Sequence, residues 1–87
     1  MSLKNAVFII YGKDGCPHCV RAKEFAKANG LEYEYLTLDK NYTKEELIEQ
    51  CAPIRPTTVP RIFRETDSSN EYIGTCDEFI AYVKANS

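Results

Sequence analysis

The chain has 87 residues and a formal net charge of −2, from 11 Lys and Arg against 13 Asp and Glu. That length bounds it to one domain, residues 1–87, near the lower limit for a self-sufficient core. The acidic balance and a sequence pI of about 5.3 argue against nucleic acid as a partner, and no apolar run approaches the roughly 20 residues that span a bilayer.

The first residues, Met1-Ser2-Leu3-Lys4-Asn5-Ala6, show no basic segment followed by a long apolar stretch. A cytoplasmic address is the expectation. Ala6-Val7-Phe8-Ile9-Ile10-Tyr11 is continuously apolar and rich in β-branched residues, which predicts a central strand covered on both faces. Gly12-Lys13-Asp14-Gly15 reads as a tight polar loop. Cys16 then opens a helix, with Pro17 at the first helical position, where its missing N–H costs nothing. Ala22, Phe25, Ala26 and Asn29 recur at helical spacing, and Gly30 is the expected stop. A second strand is predicted over 31–38, so residues 6–38 form a βαβ unit with a parallel crossover.

Thr43-Lys44-Glu45-Glu46 is a capping box that starts a short helix with Leu47, Ile48 and Cys51 inward. Pro53, Pro56 and Pro60 rule out a helix over the segment that follows. Arg61–Arg64 and Glu71–Gly74 read as a hairpin joined by a turn at 66–70. Thr75-Cys76-Asp77-Glu78 is a second capping box, and Cys76, Phe79, Ile80 and Val83 mark one buried stripe of the last helix. The predicted order is βαβ–α–ββα, an α/β arrangement with four strands and three helices.

The chemistry concentrates at Cys16-Pro17-His18-Cys19. One Cys-x-x-Cys beside a strand–helix pattern reads as redox-active. A zinc site needs four ligands, usually in paired knuckles. Here there is one pair, a histidine lodged inside it, and the scattered Cys51 and Cys76, so no metal is expected. The thiolate is the attacking form. A cysteine just before a helix meets unpaired N–H groups and the positive end of the dipole, which favour it. Cys16 is therefore read as the exposed, attacking residue, and Cys19, one turn in, as the resolving one. Lys13 and Arg21 lie close enough in sequence to add positive potential. His18 has four readings: a group that tunes the Cys16 thiolate, a general base, a metal ligand, or a plain exposed histidine. Its position at the helix start favours tuning.

Three segments in order carry a resemblance to the glutaredoxin family across essentially the whole chain. Residues 12–23 resemble the dithiol active-site segment, Thr58-Val59-Pro60-Arg61-Ile62-Phe63 the Thr-Val-Pro segment that faces it, and Ile73-Gly74-Thr75-Cys76-Asp77-Glu78 the Gly-Gly-Cys-Asp-Asp segment before the last helix. The resemblance implies a thioredoxin-like fold, βαβ-α-ββα, with a four-stranded mixed sheet flanked by three helices. It implies no tightly bound cofactor, with glutathione as co-substrate. It further implies a cis bond before Pro60, which the residues alone leave open between cis and trans. Val59 would offer its backbone to the cysteine portion of glutathione. The helix start at Cys76-Asp77 would take the γ-glutamyl end, with Asp77 on the amino group. Lys13, and Arg55 as the second candidate, would meet the glycine carboxylate. The glutathione contacts implied are thus Lys13, Cys16, His18, Thr58, Val59, Pro60, Cys76 and Asp77. Cys51 and Cys76 otherwise read as core residues.

The sequence departs from the family pattern in three places. His18 stands where tyrosine is usual, and Thr75 replaces the second glycine. Extra residues lie around Pro53–Pro56 and Asp67–Asn70. Cys-Pro-His-Cys is also the motif of periplasmic disulfide-forming oxidases, so a relatively oxidising pair is expected. The activity the resemblance implies is glutathione-dependent reduction of protein disulfides and glutathione mixed disulfides by a monomer, with ribonucleotide reductase as one expected protein substrate. The competing readings are a redoxin reduced by thioredoxin reductase, an iron–sulfur carrier in which Cys16 and glutathione ligate a cluster, and a zinc-binding module.

Overall fold

The structure, a computed structural model, describes residues 6–52, 59–67 and 69–86. Seven elements follow in chain order: β1 (Val7–Gly12), α1 (Pro17–Ala28), β2 (Glu32–Thr37), α2 (Lys44–Cys51), β3 (Arg61–Glu65), β4 (Asn70–Gly74) and α3 (Cys76–Asn86). This is the predicted order, with element ends moved by a residue or two. The four strands form one sheet in the order β2-β1-β3-β4. β1 pairs parallel with β2, Ile9 opposite Glu34, and antiparallel with β3, Ile9 opposite Phe63. β3 and β4 form the antiparallel hairpin, with a register shift between Ile62 and Phe63.

The continuous apolar run of β1 is explained by its place inside the sheet. Phe8 and Ile10 face one way, into a core with Ala22 and Ala26 of α1, Ile62 of β3, and Cys76, Phe79 and Val83 of α3. Ile9 faces the other way, into a smaller core with Phe63, Tyr42, and Leu47 and Cys51 of α2. Alternate side chains of one strand thus serve two layers. The Phe79 ring packs against Phe8 and Phe25, with centroids 5.1 and 5.6 Å apart. That contact fixes α1 against α3.

The helix ends follow the sequence signals. Gly30 has φ +66°, the left-handed conformation expected one residue past the C-cap Asn29. Its N–H bonds the Lys27 carbonyl, and the Leu31 N–H bonds the Ala26 carbonyl. At α2 both arms of the capping box form: Glu46 N–H donates to Thr43 Oγ1 at 3.2 Å, and Thr43 N–H donates to Glu46 Oε1 at 2.9 Å. At α3 the Thr75 N–H and hydroxyl both donate to Glu78 Oε1, each at 3.1 Å. Here the hydroxyl is a donor, where the capping-box reading expects it to accept from the N3 N–H.

One tie has no counterpart in any sequence pattern. Tyr42, 4% exposed, donates its hydroxyl to the Gly12 carbonyl at 2.7 Å and so anchors the end of β1. Burial, with smaller contributions from Tyr35, Tyr11 and Asp39, pushes the Tyr42 phenol up to about 12. The folded state therefore keeps its phenolic proton where the unfolded chain releases it near 10. Stability from this group is complete below pH 10 and is lost as the pH rises towards 12. Melting temperatures across pH 9–12 are expected to fall more steeply for the wild type than for Tyr42→Phe. At neutral pH the variant itself is expected to be less stable by about 0.5–1.5 kcal/mol, because one hydrogen bond to the Gly12 carbonyl is lost while that from the Leu38 N–H, at 2.9 Å, remains.

Candidate active site

Cys16 is the N-cap of α1, extended at φ −101° and ψ 108°, with Pro17 at the first helical position. The sequence folds this way because proline suits that position and cannot continue β1 inward. Cys16 and Cys19 are joined as a disulfide, with Cα atoms 5.2 Å apart. The Cys19 N–H lies 3.1 Å from Cys16 Sγ. It is one of the free first-turn donors, aimed at the sulfur that carries charge when the pair is reduced. Cys19 is fully buried, and Cys16 is only 6% exposed. The expectation of an exposed Cys16 is corrected by this: the residue is buried, and one reason is the segment that packs beside it.

That segment is Val59-Pro60, whose peptide bond is cis, as the resemblance implied. The Val59 carbonyl oxygen lies 3.8 Å from Cys16 Sγ, so the reduced thiol has an acceptor beside it. A cleft of about 290 Å³ is lined by His18, Val59, Pro60, Thr75, Cys76 and Asp77. Residues far apart in sequence thus meet in one place. The first turn of α1 gives one wall, the segment before β3 a second, and the β4–α3 junction a third. Gly74, at φ +130°, turns the chain into α3; a Cβ there would also fall 2.5 Å from the Glu78 carboxylate. Glycine is needed at that corner on both counts.

Of the expected site residues, Cys16, His18, Val59, Pro60, Cys76 and Asp77 converge here, with Cys19 behind Cys16. Pro17 is exposed at the helix start. Lys13 is exposed on the loop after β1, where its carbonyl accepts from the Tyr35 hydroxyl at 3.2 Å, and it is not among the described residues lining the cleft. Thr58 and Arg55 lie outside the described residues. Thr75, read from the sequence as a helix cap and a departure from the family pattern, also lines the cleft; its position between Gly74 and Cys76 is the signal for that. Arg21, read as a source of potential for Cys16, has its guanidinium Nη1 3.7 Å from Asp77 Oδ1. The loop before Cys16 is tied from the other side, by Lys40 Nζ at 3.0 Å from Asp14 Oδ2.

The two remaining cysteines differ in kind from the pair. Cys51 and Cys76 are free and buried. Burial pushes both thiols up; Arg61 partly offsets this at Cys51, and Arg21 partly offsets it at Cys76. Neither supplies much thiolate at neutral pH. Brief iodoacetamide treatment of the reduced protein at pH 7 is expected to alkylate Cys16 about a hundredfold faster than Cys51 or Cys76, as read by peptide mass spectrometry. Comparable labelling of all three would contradict the helix-start argument.

A disulfide in the first turn of the helix that follows the central strand, faced by a cis-proline segment, defines a thiol–disulfide oxidoreductase of the thioredoxin fold. The comparisons with known proteins agree. A family model described as Glutaredoxin matches residues 8–67. A glutaredoxin of Vibrio cholerae is 35% identical over 83 residues, covering 90% of this chain and 91% of its own. The structure of reduced Escherichia coli glutaredoxin superposes with a TM-score of 0.72 at 36% identity, over 92% of this chain and 95% of that one. A buckwheat glutaredoxin solved as a glutathione complex shares the fold, with a TM-score of 0.70 at 19% identity, over 97% of this chain and 74% of that one. The chain belongs to the glutaredoxin family.

Proposed function

We propose that the protein is a glutathione-dependent oxidoreductase that reduces glutathione mixed disulfides and protein disulfides. The observation that carries this is the cleft itself. It joins the backbone of Val59, whose carbonyl lies beside Cys16 Sγ, to a helix N-terminus at Cys76-Asp77. An extended tripeptide thiol suits that arrangement: backbone groups for its middle residue, and helix N–H groups with a carboxylate for a charged end. The buckwheat relative of the same fold binds glutathione.

In this reading the Cys16 thiolate attacks the glutathione sulfur of a mixed disulfide. A Cys16–glutathione disulfide forms, the substrate sulfur leaves as a thiolate, and that thiolate takes a proton. A second glutathione, as its thiolate, attacks the glutathione sulfur held on Cys16, releasing glutathione disulfide and the Cys16 thiolate. With a protein disulfide, the Cys16 thiolate attacks one substrate sulfur and the other leaves as a thiolate and is protonated. The Cys19 thiolate then attacks Cys16 Sγ, breaking the mixed disulfide, so that the remaining substrate sulfur leaves as a thiolate and the Cys16–Cys19 bridge closes. Two glutathiones reopen that bridge. His18, on the cleft wall, adds positive potential near Cys16 when protonated. Glutathione is a co-substrate here, with no tightly bound cofactor. A cytoplasmic monomer acting on protein disulfides, ribonucleotide reductase among the candidates, completes the reading.

The test is turnover of a small glutathione mixed disulfide with glutathione and glutathione reductase. Steady consumption of NADPH is expected. No turnover there, with turnover when thioredoxin reductase is the electron source, would replace glutathione by that reductase.

A further inference from the structure

Asp77 lines the cleft, and Arg21, outside the lining residues, brings its guanidinium within 3.7 Å of the Asp77 carboxylate; both side chains are largely exposed, at 60% and 84%. An exposed pair of this kind contributes little to stability. Nor is it needed to hold the two helices together, since the Phe25–Phe79 ring contact already does that. Arg21 lies three residues after His18 on α1, on the same face, and Asp77 is itself a cleft residue. The Arg21 charge also reaches Cys76 on the cleft floor, where it partly offsets the effect of burial. A guanidinium therefore stands beside the one carboxylate among the described residues that line the cleft.

A ligand complementary to that pair carries both charges close together in the reverse order, which is the chemistry of an amino-acid α-ammonium and α-carboxylate. We infer that Arg21 is a specificity-determining residue that binds the α-carboxylate of the γ-glutamyl end of the thiol co-substrate while Asp77 binds its ammonium. The inference rests on the glutathione reading and assigns a second, side-chain half to that end of the site. A guanidinium suits the task because its planar fork meets a carboxylate with two N–H donors. The ligand would exchange the Arg21–Asp77 pair for two ion pairs of its own.

The experiment uses the full chain carrying Cys19→Ser, reduced beforehand, in single turnover. The substrate is a peptide disulfide-linked to γ-glutamyl-Cys-Gly, to 4-aminobutyryl-Cys-Gly, which lacks the α-carboxylate, or to glutaryl-Cys-Gly, which lacks the ammonium. Release of peptide thiol gives a half-saturation concentration and a limiting rate for each. Adding Arg21→Gln is expected to raise the half-saturation concentration for the γ-glutamyl compound about five- to tenfold, as the loss of one charge-assisted contact implies. It is expected to leave that for the 4-aminobutyryl compound within about twofold, with Arg21→Lys in between. Asp77→Asn is expected to erase the discrimination against the glutaryl compound instead. Equal losses on all three compounds would make Arg21 a structural residue and overturn the inference, as would a variant that still rejects the 4-aminobutyryl compound as strongly as its parent. If the parent protein itself releases no thiol from the γ-glutamyl compound, the glutathione reading fails, and this inference fails with it.

Discussion

Cys19→Ser is expected to abolish reduction of protein disulfides while keeping turnover of glutathione mixed disulfides within about tenfold of wild type, a barrier change under ~1.4 kcal/mol. Cys16→Ser is expected to lose both activities by at least about a thousandfold, over 4 kcal/mol. The asymmetry follows from what each residue gives to the site. Cys16 supplies the sulfur that lies beside the Val59 carbonyl. Cys19 supplies two things: a buried sulfur that closes the bridge, and a backbone N–H 3.1 Å from Cys16 Sγ. Serine removes the first and keeps the second, so the hydrogen bond that favours the Cys16 thiolate survives. Parallel assays on a glutathionylated peptide and on a protein disulfide separate the outcomes. Equal loss of both activities in Cys19→Ser would show that the second sulfur takes part in every cycle.

The largest expected effect on stability is at Phe79. Its side chain is fully buried and touches the rings of Phe8 on β1 and Phe25 on α1. Phe79→Ala removes the ring that joins the sheet to both helices and leaves a cavity among them. The expected loss is about 3–5 kcal/mol. For a chain of this size that lowers the melting temperature by roughly 15 °C or more. Phe79→Leu, which fills part of the space, is expected to recover about half. Urea denaturation of the reduced proteins measures the difference. A loss below 1 kcal/mol for the alanine variant would mean that the surrounding helices collapse onto the gap. Phe79 is also one turn beyond Cys76 and Asp77, so the alanine variant is expected to loosen the third wall of the cleft.

The fold was legible because its signals are local and periodic. The unbroken apolar run of β1, the stop at Gly30 and the Thr43–Glu46 box each state a conformation within a few residues, and each is found. The cysteine pair, Val59-Pro60 and Cys76-Asp77 were legible as motifs, and the topology brings them to one cleft. What the sequence left unread depends on packing between distant segments. No pattern links Tyr42 to the Gly12 carbonyl thirty residues earlier. The burial of Cys16 draws on the Val59 segment, distant in sequence, that packs beside it. Arg21 was read by its nearness in sequence to Cys16, yet helix geometry carries it to the neighbouring α3. Residues one turn apart on a helix share a face, and the partner on that face is set by the next helix.

The Cys16–Cys19 bridge spans a sequence separation of only three. By the chain-entropy relation, so small a ring removes only about 2 kcal/mol of freedom from the unfolded chain, against about 4.7 kcal/mol for a loop of 100 residues. Opening and closing it therefore shifts the unfolding free energy by no more than about 2 kcal/mol, because both sulfurs sit on one turn of α1. A long-range crosslink in the same core would tie each catalytic cycle to a swing in unfolding free energy. Here that swing is held to about 2 kcal/mol, less than half of what a long-range crosslink would impose on a chain of 87 residues at every cycle.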